Sequence, residues 1–270
     1  MSDMELVDYM EQVWHSIATL CSSFTEEQWK TLTDCPGWSV QDQVSHLVGA
    51  EVGILGRPTP DHTPAETGHV KNEIGQRNEV VVDWRRSWSG ARVLEEFQQV
   101  TGERLVLLRA MSDADFLVET QTPIGPGTVA EFLRIRIFDA WIHEQDIRRA
   151  VGRAGHLEGP VAIHSLGRVA RAMPFVVGKK AGAPDGTTVV FHITGNAGRV
   201  LSIVVEGSRA RELEERPTNP AVQLTMDAET FACLGCGRWT PSETLESGKV
   251  TIQGSQALGG TILNQMNIMI

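Results

Sequence analysis

The feature that most constrains this chain is a change of hydrophobic period near Gly182. Upstream, apolar residues recur every three or four positions, the spacing of one helix face. Downstream they gather in short β-branched runs. Met10, Val13, Ile17 and Leu20 predict an amphipathic helix over residues 3–22. Cys35-Pro36-Gly37 reads as a turn, and Ser39 then stands as an N-cap with Asp42 at the third helical position, a weaker form of the capping box. Val40, Val44, Leu47, Val48 and Leu55 carry that helix to about residue 55. Residues 56–68 hold three prolines and form a loop. Helical stretches follow at about 70–84 and 88–111, the second with Val93, Phe97, Val100, Leu105 and Leu108 on its buried side. Residues 120–127 read as a loop, Thr128 opens a helix to about Val151, and residues 160–176 make another.

Beyond Gly182, TTVVFHIT and RVLSIVVE are strands separated by the hairpin signal Gly195-Asn196-Ala197-Gly198. Val222 to Thr225 is a further short strand. The tail mixes helices at about 227–235 and 256–267 with a strand at 249–253. The expectation is an α+β chain of two domains, an all-helical one over 1–176 and a smaller α+β one over 185–270. It shows no internal repeat and no low-complexity segment.

Hydrophobic residues make up 41% of the 270 and charged residues 21%, enough apolar material for a large core. The formal net charge of -10 argues against nucleic acid or an anionic membrane as a partner. It leaves room for a small anionic substrate in a locally basic pocket. No apolar run approaches the roughly 20 residues of a membrane span, and the first residues carry acids where a signal peptide carries bases. A cytoplasmic protein is therefore expected, and its four cysteines are expected as thiols rather than a disulfide framework.

The segment richest in chemistry is FDAWIHEQDIRR, residues 138–149. Asp139 and His143 are four apart, so on a helix they stack on one face, and Asp146 joins them three further on. Such a carboxylate and imidazole can hold one divalent ion, with a third ligand from another helix. His46, in mid-helix among Val44, Leu47 and Val48, is the candidate. Each residue also has a plainer reading: a surface Asp–His pair, a hydrogen-bonded core histidine, an Asp146–Arg149 salt bridge, and Trp38 and Trp141 as core anchors.

CPGWSVQDQVSHLVGAE resembles the signature of DinB-like helical proteins, in which Gly-Trp-(Ser/Thr)-Val leads into a helix bearing a metal-binding histidine. FDAWIHEQDIRRAVG resembles their second signature. The stretch from FACLGCGRW to the closing NQMNIM is similar to the sterol-carrier-like domain fused to them. With these three motifs in order, the chain resembles the mycothiol-dependent maleylpyruvate isomerase family over essentially its whole length. The resemblance implies a DinB-like four-helix bundle followed by a sterol-carrier-like domain. It implies His46, Asp139 and His143 as ligands of a divalent metal, most naturally zinc, with Asp139 standing where the isomerase has glutamate. It implies mycothiol as thiol cosubstrate at the open metal position, where zinc lowers the thiol's pKa. A thiolate can add to an activated double bond, allow rotation and leave, or it can displace a leaving group and remain as a thioether.

Gly237-Arg238 resembles a Gly-Arg that the family carries near its active site, which makes Arg238 the candidate for a substrate carboxylate at a cleft bordered by both domains. The plainer reading is an exposed arginine after a helix-ending glycine. Trp38 and Asp146 are the candidates to contact the thiol. Cys233 and Cys236 form a single CxxC without a second ligand pair, a weak redox or metal signal. Asn72, Arg77, Arg85 and Arg86 are expected as solvated groups rather than an anion site, and His62, His69 and His192 as exposed. The leading reading is a metal-dependent, mycothiol-using isomerase or S-transferase acting on a small electrophile, as monomer or homodimer. The alternatives are a non-catalytic carrier of an apolar ligand and a metal- or thiol-sensing regulator.

Overall fold

The computed structural model describes residues 2–207 and 209–269, and the chain divides into two compact units, 1–155 and 156–270. The first is built on α1 (Asp3–Cys21), α3 (Val40–Ile54), α5 (Gly90–Arg109) and α7 (Val129–Ala150). In it α1 packs on α5 and α7, and α3 packs on the same two helices, so the four close a ring around a shared core. α4 (Glu73–Arg85) lies outside that ring on α3, and short helices α2 (Glu26–Trp29) and α6 (Asp113–Phe116) fill the corners. The helix starts follow their caps: Ser39 and Asp42, and Thr128 and Glu131, each form a reciprocal capping box. Close helix packing is specified by small residues. A Cβ at Gly90 would lie 2.1 Å from the buried Trp29 ring, so α5 can approach α2 only with glycine there.

Residues 120–127 are not a loop. β1 (Glu119–Thr122) and β2 (Gly125–Thr128) pair antiparallel across a tight turn, with Gly125 at φ 117°. Pro123 sits in the turn, and Pro126 lies on an isolated two-stranded ribbon, where a missing N–H is tolerated.

The second unit is a five-stranded sheet in the order β5-β4-β3-β6-β7. Its strands are β3 (Thr188–Thr194), β4 (Arg199–Glu206), β5 (Arg209–Leu213), β6 (Val222–Asp227) and β7 (Thr251–Gly254). Only β3 and β6 run parallel. β3 is central, with Val189, Val190, Phe191 and Ile193 buried on both faces, which explains its continuous apolar run; His192 within it is half-buried rather than exposed. The sheet is covered by α8 (Gly159–Phe175), α9 (Ala228–Gly235) and α11 (Gln256–Asn264), with the short α10 (Pro241–Glu246) against α11. A π-helical turn, Val176–Lys180, extends α8 beyond Pro174.

The domain boundary expected at 176–185 therefore moves. α8 has the helical period of the bundle helices, but its apolar face packs on β4, β5 and α9, and it belongs to the second unit. Among the described residues no helix is long and apolar enough to cross a membrane.

Candidate metal centre

Two local devices bring the site together. The first is the turn before α3. Thr33 N–H donates to Trp38 O at 2.9 Å and Val40 N–H to Thr31 O at 2.9 Å, closing a small loop around Cys35-Pro36-Gly37. Gly37 has φ 79°, and a Cβ there would lie 2.6 Å from the His69 ring, so glycine is required on both counts. Trp38 is thereby turned inward, and its Nε1–H donates to Glu79 Oε2 at 3.0 Å. The second device is the pitch of α7, which places Asp139 and His143 one turn apart facing α3.

His46, Asp139 and His143 each offer a donor atom within 4.8 Å of the others. His46 Nε2 lies 3.2 Å from Asp139 Oδ2, and His143 Nε2 lies 3.5 Å from Asp139 Oδ1. Two donors each ~2.1 Å from a tetrahedral centre are about 3.4 Å apart, and these two separations, one to each oxygen of Asp139, lie close to that spacing. The imidazole centroids are 4.7 Å apart, and the Trp38 indole packs against both, at 5.2 Å from His46 and 5.7 Å from His143. His46 and His143 are buried, while the Asp139 side chain keeps 20% exposure, so the cluster is reached from the carboxylate side.

The surroundings prepare the ligands. Gln43 donates through Nε2 to Thr33 Oγ1 at 2.7 Å, which turns its Oε1 to His143 Nδ1. That oxygen accepts the Nδ1 proton and leaves the Nε2 lone pair for an ion. Asp146, expected to touch the thiol, is fully buried behind the ring, with Oδ2 3.7 Å from His143 Nδ1 and Oδ1 paired to Arg149. In this geometry it supports His143 rather than facing a ligand. Among the described residues, His46 Nδ1 is buried and finds no hydrogen-bond partner.

The charges are equally divided in role. Burial holds His46 below its usual range, against the pull of Asp139, so it stays neutral, as a ligand must. Burial opposes charging of His143 too, but the Asp139 and Asp146 carboxylates outweigh it and raise its pKa. Burial likewise opposes ionisation of Asp139, and the Arg136 guanidinium with both imidazoles reverses this, holding its carboxyl well below the usual range. The metal-free chain thus gains stability from charged His143 below its ordinary value of 6.5 and loses it as pH rises through the higher folded value. The Asp139 contribution is present above 3.8 and is lost as pH falls through its depressed value. An ion must displace the His143 proton. Zinc affinity, measured by competition titration, is therefore expected to climb as pH rises from about 6, close to the free imidazole range, and to level off above the folded pKa of His143. A flat profile across that window would contradict the ligand assignment.

Other expectations are revised. His62 and His69 are not exposed: His62 Nε2 pairs with Asp83 at 2.6 Å and His69 Nε2 with Glu79 at 2.9 Å. Arg85 is a buried bidentate partner of Glu96, and Arg86 bridges Glu79, Asp42 and Asp83, so neither is a solvated charge. Asn72 caps α4 by accepting from Gly75 N–H. Trp141 is wholly buried, as a core anchor should be, and Cys233 and Cys236 are buried thiols. In the second unit, Gly237 takes φ 64° after α9, and Arg238 Nη1 donates to Cys236 O at 3.1 Å. Sequence reasoning missed Gln43, Glu51, Glu79 and Arg136. The available signal was a set of strongly polar residues on helix faces that are otherwise apolar.

Among known proteins, the family model of the mycothiol maleylpyruvate isomerase N-terminal domain matches residues 10–148, and that of the MDMPI C-terminal domain matches residues 163–261. A crystal structure of the mycothiol-dependent maleylpyruvate isomerase superposes with a TM-score of 0.59 at 16% identity, over 94% of this chain and 93% of that one. A histidine-to-alanine mutant of that isomerase gives 0.60 at 16% identity, with 94% and 93% covered. At this identity the likeness is one of fold. No curated protein matches the chain. The two domain matches in order, together spanning most of the chain, place this protein in the mycothiol maleylpyruvate isomerase family.

Proposed function

We propose that this protein is a metal-dependent enzyme that uses mycothiol to act on a small, carboxylate-bearing electrophile, with cis–trans isomerisation as the leading reaction and thiol S-transfer as its variant. The observation that carries this reading is the convergence of His46, Asp139 and His143 from two helices against the face of Trp38. A zinc ion held by those three side chains would keep a thiol in its thiolate form near neutral pH. The chain's own groups supply the rest. Gln43 and Asp146 fix the tautomer and orientation of His143. Trp38 closes one side of the cluster and excludes water from it. The accessible Asp139 side is where thiol and substrate enter.

In isomerisation the thiolate would add to the double bond and push its electron pair onto the conjugated carbonyl, the resulting single bond would rotate, and return of that pair would restore a trans double bond and expel the thiolate. Arg238 is the residue we assign to the substrate carboxylate, on the resemblance of Gly237-Arg238 to the family's Gly-Arg. Its planar fork suits bidentate carboxylate binding.

The test is turnover of maleylpyruvate by zinc-loaded protein with and without mycothiol. A product of unchanged mass supports isomerisation, and a thioether conjugate supports transfer. Protein purified without added ions that holds no metal, and shows no thiol-dependent turnover of any cis-enoyl acid, would overturn the proposal.

A further inference from the structure

Asp139 has two oxygens, and the fold treats them differently. Oδ2 accepts from Arg136 Nη1 at 2.6 Å and also lies 3.2 Å from His46 Nε2, whereas Oδ1 faces His143 Nε2 at 3.5 Å. Arg136 lies one turn before Asp139 on α7 and is 7% exposed. Its guanidinium is braced from behind: Nε and Nη2 both lie 2.9 Å from Glu51 Oε1. Glu51, 1% exposed, also accepts from Arg104 Nε at 3.0 Å. Glu51 comes from α3, the helix that carries His46, and Arg104 comes from α5. Three helices therefore hold one guanidinium against one oxygen of one carboxylate.

A buried ion cluster of this kind contributes little net stability compared with apolar residues of the same volume, because desolvation offsets the attraction. Stability alone does not account for its place beside three donor atoms. We infer that Arg136 is a positioning residue that restricts Asp139 to a single donor oxygen and so biases the site toward four-coordinate ions. The inference rests on the metal reading above and deepens it. A carboxylate free to rotate can chelate through both oxygens, as in sites for large, oxygen-seeking cations that take six or more ligands. With Oδ2 held by Arg136, and His46 Nε2 turned from that oxygen to the ion, the chain would offer Oδ1 and two imidazole nitrogens, three ligands in all, which is the donor set of a catalytic zinc site with one position left for an exogenous group. The guanidinium also draws charge from the carboxylate. That makes Asp139 a weaker donor and leaves more of the ion's charge to act on a thiol.

The test titrates full-length wild type, Arg136→Lys, Arg136→Met and Glu51→Gln with Co²⁺, then competes Co²⁺ with Zn²⁺ and Mn²⁺. Four-coordinate Co²⁺ absorbs strongly in the visible and higher coordination weakly, so the spectrum reports ligand number independently of turnover. Wild type is expected to give the intense band. In Arg136→Met the band should weaken, and the preference for Zn²⁺ over Mn²⁺ should fall about 10–100-fold, the scale on which outer supports act on metal sites. Arg136→Lys keeps the charge without the fork and should fall between the two. Glu51→Gln loosens the brace and should shift both readouts in the same direction. If Arg136→Met does not fold, the Lys and Gln variants, which nearly preserve volume, decide the matter. Folded Lys and Gln variants with the wild-type band and the wild-type Zn²⁺ preference would overturn the role of Arg136. Wild type that binds neither Co²⁺ nor Zn²⁺ would instead overturn the metal reading, a separate and recognisable result.

Discussion

Replacing His143 with alanine is expected to remove the bound ion and, with it, thiol-dependent turnover, while the helical unit stays folded. The imidazole is one of three donors within 4.8 Å of one another, and two remaining donors do not hold a zinc ion at a catalytic site. The loss of affinity should exceed the roughly 100-fold that removal of an outer support costs. The stability cost is smaller because the partners left behind keep other bonds. Asp146 retains Arg149, and Gln43 retains Thr33. Each buried group that loses one hydrogen bond costs about 1–3 kcal/mol. Metal content by elemental analysis and helicity by circular dichroism separate the two effects. His15→Ala, at an exposed position of α1, serves as the control and should bind the ion normally. A His143→Ala protein that keeps stoichiometric zinc would remove this residue from the site.

The largest effect on stability is expected from Trp141→Ala. The ring is wholly buried in α7, the helix that packs on both α1 and α3. Truncating a buried tryptophan costs about 3–5 kcal/mol, through lost transfer energy and the cavity left behind. At roughly 2–4 °C per kcal/mol for a unit of this size, the helical transition should fall by about 6–20 °C in a thermal melt followed at a helix wavelength. Trp141 lies two residues from Asp139 and two from His143, so it projects about 180° around the helix from the centre of the ligand pair. The variant should therefore bind zinc with near-normal affinity below its melting point. Loss of zinc binding in a still-folded Trp141→Ala protein would show that packing on the far face of α7 sets the ligand geometry.

Much of this was legible locally. The starts of α3 and α7 follow from Ser39 with Asp42 and from Thr128, because a cap is satisfied by residues three apart. The strands β3 and β4 follow from their β-branched runs and the turn between them. Asp139 and His143 could be paired on paper because helical pitch alone puts them on one face. Elements whose reason lies elsewhere were missed. β5, with the sequence RAREL, is an exposed edge strand held by backbone bonds to β4, and it carries no apolar alternation. The ribbon of β1 and β2 is disguised by its prolines and glycines. The helix α8 has a period that says helix and nothing about its partner, so its membership of the second unit had to come from packing.

The site divides the same way. Its ligands were named from local spacing and from resemblance to a family, but that His46 meets Asp139 across 93 residues is a fact of bundle packing. So are the bond from Trp38 to Glu79, the bond from Gln43 to His143, and the brace from Arg104 through Glu51 to Arg136. A hydrophobic period fixes which face of a helix turns inward. Which polar side chains then satisfy one another depends on the rotation and offset of helices far apart in the chain, and those are settled only when the core closes and every buried donor and acceptor needs a partner.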